Sequence, residues 1–220
     1  MATPLDLQEQ EQLDDIKAFW KQYGNLITWV LTAALLAYAG WNGWGWWQRD
    51  QAAKAGAMFE ALDQAVQGGD AKRAGQIFGD LKERYPRTAW TEQGGLLAAR
   101  LQFDKGDVDG ARAALAWLAD NAVEDEYRSI ARLRLAGLML DAKQYDDALK
   151  QLDGAKATEF TALVADRRGD VLLAKGQRDE AKAAYQAAYK AMDDKTDYRR
   201  IIDAKLTALG AAPAASGAAP

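Results

Sequence analysis

A chain of 220 residues, 49% hydrophobic and 27% charged with heavy use of Ala, has room for one ordinary helical domain and an anchor. Its net charge of −4, with no basic stripe, argues against nucleic acid as a partner, because phosphate binding needs clustered Lys and Arg. The lack of His and Cys removes His-based triads, thiol nucleophiles, thiolate metal sites and disulfides.

Only two serines are present, Ser129 and Ser216, and cysteine absence fits an oxidising compartment. A carboxylate dyad, or a carboxylate site for Ca²⁺ or Mg²⁺, remains open in principle. The adjacent acids Asp146 and Asp147, and Asp193 and Asp194, read instead as solvated helix ends. The composition thus favours a binding module over an enzyme, with no cofactor expected.

Residues 1–25 form an acidic, partly amphipathic segment. Thr3 and Pro4 predict a helix cap with proline in the first turn. Leu13, Ile16, Trp20 and Tyr23 then share one helical face that can lie on a membrane surface.

Residues 26–47, LITWVLTAALLAYAGWNGWGWW, carry no charge. As a helix they span about 33 Å, enough for a hydrocarbon core of roughly 30 Å. Trp41, Trp44, Trp46 and Trp47 crowd the far end, where an aromatic belt meets the lipid–water boundary. The long acidic lead and the lack of a small-residue cleavage site favour an uncleaved signal-anchor over a signal peptide. Orientation is a tie: Lys17 and Lys21 flank one side, Arg49 and Lys54 the other. Small residues at helix-packing spacing (Ala33 and Ala37, Ala39 and Gly43) and the amide of Asn42 raise the expectation of a helix–helix contact in the span.

After a linker at 48–54, residues 55–209 are helical throughout, and turns recur at fixed intervals. In the segment 162–195, Gly169, Gly176, Ala181, Tyr185 and Ala188 sit at tetratricopeptide spacing. Gly169 lets the first helix of the pair approach the second, Gly176 makes the turn, and Tyr185 fills the space between them. From Ser129 the same frame places Ala136, Tyr145, Ala148, Leu152 and Ala155. From Glu92 it places Ala99, Gly106, Ala111, Leu115 and Leu118. From Ala55 it places Gly69, Ala74, Phe78, Leu81 and a closing Pro86, with Leu62 where a small residue is expected. The starts 55, 92, 129 and 162 lie 37, 37 and 33 residues apart, near the tetratricopeptide period of about 34.

Four frames in near-constant register argue against an irregular bundle. Residues 196–209 read as a capping helix, which a solenoid end requires, and residues 210–220 as a low-complexity, disordered tail. The expected fold is therefore all-α, a single transmembrane helix followed by a tetratricopeptide-type helical solenoid.

A short acidic tail, one signal-anchor and a small repeat domain together resemble the YfgM family of bacterial inner-membrane proteins. The resemblance includes the stretch LDDIKAFWKQYGN before the span, and the Trp-rich, Gly-interrupted residues 40–47 depart from it. It implies an ancillary subunit of the Sec translocon in the inner membrane, N-terminus cytoplasmic and repeat domain periplasmic. The implied partners are the translocon, a membrane-anchored prolyl-isomerase-type chaperone, and unfolded or emerging polypeptides.

Repeat solenoids bind along the concave face lined by the first helix of each pair. In this frame that face carries Phe59, Leu96, Arg100, Phe103, Leu133, Leu140, Leu163, Asp166, Asp170 and Leu173. Apolar residues dominate, with charges to fix orientation, although several of these leucines are equally suited to packing adjacent repeats. The alternatives carried forward are a scaffold for cell-envelope assembly or division, and a regulator whose repeat domain faces the cytosol.

Overall fold

The computed structural model describes residues 7–211, with side chains from Gln12 onward. The expected cap at Thr3 and Pro4, and the tail from residue 212, lie outside the described residues. Among the described residues the secondary structure is helical, with no strand. Two compact units divide the chain after Gln51.

In the first unit the chain forms the N-terminal part of α1 (Leu7–Gln67). This helix contains a stretch long and apolar enough to cross a membrane, with little of it buried against protein. Trp29, Leu35, Leu36, Tyr38 and Trp41 are all exposed, as a lipid-facing helix requires. The Trp44 and Trp47 rings meet at 5.1 Å. Asn42 donates its amide to the Tyr38 carbonyl one turn back at 3.1 Å, so that donor is satisfied inside its own helix. Residues 48–54, expected as a linker, are helical: QRDQAAK contains neither Gly nor Pro, so nothing in it breaks α1.

The second unit begins with the remainder of α1. It continues through α2 (Ala71–Arg84), α3 (Ala89–Asp104), α4 (Val108–Asn121), α5 (Asp125–Asp141) and α6 (Tyr145–Gly154). A 3₁₀ turn (Thr158–Phe160) leads into α7 (Thr161–Ala174), α8 (Arg178–Ala191) and α9 (Tyr198–Ala208). From α2 onward each helix packs on the next, and the odd-numbered helices also touch across repeats, α3 on α5 and α5 on α7.

The repeat frame is visible in the burial. Ala74, Ala111, Ala148 and Ala181 hold the same frame position, and each is fully buried. Phe78, Leu115, Leu152 and Tyr185 share another and are likewise buried. At Gly169 a Cβ would stand 2.4 Å from the Tyr185 ring, so the glycine is demanded by close helix approach. Leu62, at the corresponding position of the first repeat, is itself fully buried in the core with Ala55 and Ala65.

Each pair turns in the same way. A single residue at the turn adopts positive φ: 69° at Gly69, 85° at Gly106, 59° at Lys143 and 87° at Gly176. The next amide in each case (Asp70, Asp107, Gln144, Gln177) bonds a carbonyl five residues back at 2.8–2.9 Å. That is the Schellman closure of one helix running straight into the cap of the next. Asp70 and Asp107 also cap with their side chains, onto Arg73 and Gly110 amides at 2.9 Å, whereas Gln144 and Gln177 do not.

Candidate docking site

Two of the loops that lead from one repeat to the next are pinned by the residue that opens the preceding frame. Ser129, buried on α5, accepts from the Ala157 amide at 3.0 Å. Glu92, buried on α3, accepts from the Val123 amide through Oε1, while its Oε2 is buried without a hydrogen-bond partner. Burial therefore raises the Glu92 pKa, against the pull of the Val123 amide.

With the odd-numbered helices held side by side, α3, α5 and α7 enclose a concavity of about 550 Å³. Its apolar wall includes Phe103, Leu133, Phe160 and Leu163, and Tyr198 of α9 also lines it. Arg100, Arg134 and Arg167 line it as well, with Asp141 and Asp166.

Five of the ten expected groove residues line this concavity: Arg100, Phe103, Leu133, Leu163 and Asp166. Phe59, Leu96, Leu140, Asp170 and Leu173 do not. Phe59 stacks on Trp90 at 5.1 Å, Leu96 packs on the main core and Leu140 on the cluster around Leu152. Leu173 remains exposed.

Of the three expected orienting charges, Asp166 and Asp170 serve the fold. Asp166 is 2% exposed; Lys205 Nζ donates to both of its oxygens at 2.8 and 2.9 Å, and the Tyr198 hydroxyl donates at 2.8 Å. Asp170 accepts from the same Lys205 at 2.7 Å and from the Tyr185 hydroxyl at 2.8 Å. All three Lys205 protons are thereby used, and α9 is clamped to α7 and α8. Burial and the Asp166 hydrogen bond push the Tyr198 hydroxyl up to about 12.

Sequence reasoning missed Arg134, Arg167, Ile130 and Tyr198. Arg134 and Arg167 each fall five residues after a frame start, so the frame itself carried the signal. Asp146 is exposed and bonded to Lys175 at 2.7 Å, which lowers its pKa, and Asp147 pairs with Lys150 at 3.3 Å. No group of three or more acids among the described residues is placed to hold a metal ion.

An apolar helix long enough to cross a membrane, preceding a tetratricopeptide-type solenoid with a concave inner face, defines the class: a helical-repeat protein with one candidate membrane span. A family model described as a tetratricopeptide repeat-like domain matches residues 17–211. An ancillary SecYEG translocon subunit of Neisseria gonorrhoeae is 28% identical over 92% of this chain and 98% of its own length. Proteins of the same name from Escherichia coli and Haemophilus influenzae are 30% and 29% identical over 83% of this chain, covering 87% and 89% of theirs. The chain belongs to this tetratricopeptide repeat-like family of ancillary SecYEG translocon subunits, the YfgM family.

Proposed function

We propose that the chain is a non-enzymatic, membrane-anchored interaction protein, an ancillary subunit of the Sec translocon. Residues 26–47 span the inner membrane with the N-terminus in the cytoplasm, and the repeat domain stands in the periplasm. There it tethers proteins leaving the translocon, or passes them to a membrane-anchored prolyl-isomerase-type chaperone. The observation that carries this reading is the coupling of an exposed apolar helix to a repeat domain with an unfilled inner face, in a chain whose relatives are named for the translocon. A concave, mostly apolar surface with few fixed charges suits an extended or helical segment of another protein.

The test is recovery of the full-length chain from membranes in mild detergent, together with alkaline phosphatase fused after Gly210. Translocon and prolyl-isomerase subunits are expected to co-purify, and phosphatase to be active. Recovery of division or outer-membrane assembly proteins instead would favour an envelope scaffold. An inactive phosphatase paired with an active cytosolic reporter at the same position would place the repeats inside and overturn the topology.

A further inference from the structure

Three arginines, one from each of α3, α5 and α7, reach the concavity with unequal charge matching. Arg100 has Asp104 one turn away at 3.7 Å, with most of both side chains in solvent. Arg167 meets Asp170 only at 3.9 Å, and that carboxylate is already engaged by Lys205 and Tyr185. Arg134 has no carboxylate partner among the described residues; its Nη1 donates to the Leu96 carbonyl at 3.2 Å. Its pKa is lowered by burial and by the charge of Arg100, which places two like charges in one wall. Of the two acids in the wall, Asp166 is satisfied by Lys205 and Tyr198, leaving Asp141 against three guanidinium groups.

The middle of the wall is also open. Gly137 holds the frame position that carries Arg100 in the second repeat and Asp170 in the fourth, so no side chain fills the space one turn beyond Arg134. A Cβ there would meet only Arg167, at 3.9 Å, an ordinary contact. Around the cations Phe103, Leu133, Phe160 and Leu163 supply an apolar rim.

Planar guanidinium forks match carboxylates in two-point contact, and they are strongest where water is partly excluded. We propose that the concavity binds a peptide segment in which Asp or Glu neighbours a large apolar side chain. The carboxylate goes to Arg134, with Arg100 and Arg167 on either side, and the apolar group goes onto the Phe103–Leu163 rim. This rests on the reading of the repeat domain as a docking module and names the chemistry of its partner. An anionic lipid surface offers the same charge, but a flat surface does not enter a concavity.

The experiment uses the full chain in nanodiscs of zwitterionic lipid and a short fluorescent peptide alternating Glu with Leu and Phe. A Gln-for-Glu peptide and anionic vesicles serve as competitors. The Glu peptide is expected to bind at least about tenfold more tightly than the Gln peptide, the worth of one charge-assisted contact, and its advantage should shrink as salt rises. Arg134→Gln is expected to lose about the same factor with its melting temperature unchanged. Gly137→Met, which leaves every arginine in place, is expected to block the peptide by occupying the gap. Equal binding of the two peptides, no binding, full affinity in Arg134→Gln, or preferential displacement by anionic vesicles would each overturn the proposal. If Arg134→Gln alters folding, Gly137→Met at unchanged melting temperature decides by itself: blocked binding supports the proposal and full affinity overturns it. Charge-blind peptide binding alongside intact translocon co-purification sinks this inference only, whereas lost co-purification sinks the function on which it rests.

Discussion

From Ala55 to Leu138 the repeats share one continuous run of buried apolar side chains, while beyond it the core divides into smaller clusters around Leu152 and Tyr185. The turns differ in parallel. The first two use Gly69 and Gly106 followed by an Asp that caps α2 and α4. The last two use Lys143 and Gly176 followed by a Gln whose side chain does not cap. Where the first half relies on apolar packing, the C-terminal end adds a charged network to its smaller apolar cluster of Tyr185, Ile202 and Leu206: Lys205 between two carboxylates, each also held by a tyrosine. A common repeat frame thus fixes where helices meet while leaving each interface free to be filled by different forces.

The largest effect that would break this comparison is expected at Lys205. Lys205→Ala leaves Asp166 buried with a charge that Tyr198 alone cannot match, a loss of about 3 kcal/mol of stability by thermal melting. Adding Asp166→Asn should restore part of it. A loss no greater than that of an exposed lysine would show the end to be held by its apolar cluster alone.

Glu92 tests the opposite half, where a charge sits inside the apolar core. Its folded pKa is raised, so its favourable contribution is complete below the unfolded value of 4.5 and is lost as pH climbs through the folded value. Glu92→Gln should flatten that dependence and raise stability at neutral pH by about 1 kcal/mol, measured as the difference between melts in acid and at neutrality. A variant with the wild-type pH profile would exonerate this carboxyl.

The smallest change concerns the third turn. Lys143 holds φ of 59°, a conformation that costs a side-chain-bearing residue where glycine sits freely. Lys143→Gly is expected to gain about 0.5 kcal/mol in denaturant titrations, bringing that turn level with the other three. Destabilisation would mean that the lysine side chain contributes something the backbone does not reveal.

Much of the fold was legible because the positions that define a repeat are positions of close contact. Ala74, Ala111, Ala148 and Ala181 had to be small for the helices to meet, and their recurrence could be read without coordinates. The site was only half legible. Arg134 and Arg167 keep the same register, but periodicity alone does not say which turn of a helix faces an opening. Asp166 looked like a groove charge because its partner Lys205 lies 39 residues away on the capping helix, a distance no local pattern spans. The turn at Lys143 lacks the glycine that marks the others, and the helix through residues 48–54 continues because nothing there stops it.

Tyr198 belongs at once to the cap and to the wall of the concavity. A terminal helix of a solenoid has a neighbour on one side only and frays more readily than interior ones. When α9 frays, the concavity loses a lining side chain and Asp166 loses the hydrogen bonds from both Tyr198 and Lys205 in the same event. Any occupant that touches Tyr198 therefore binds the docked form better than the frayed one, and by mass action tightens the end of the domain. Occupancy and local order at the C-terminus are in that sense a single equilibrium, so protection of α9 amides from hydrogen exchange reports on a ligand that need not touch α9 beyond one ring.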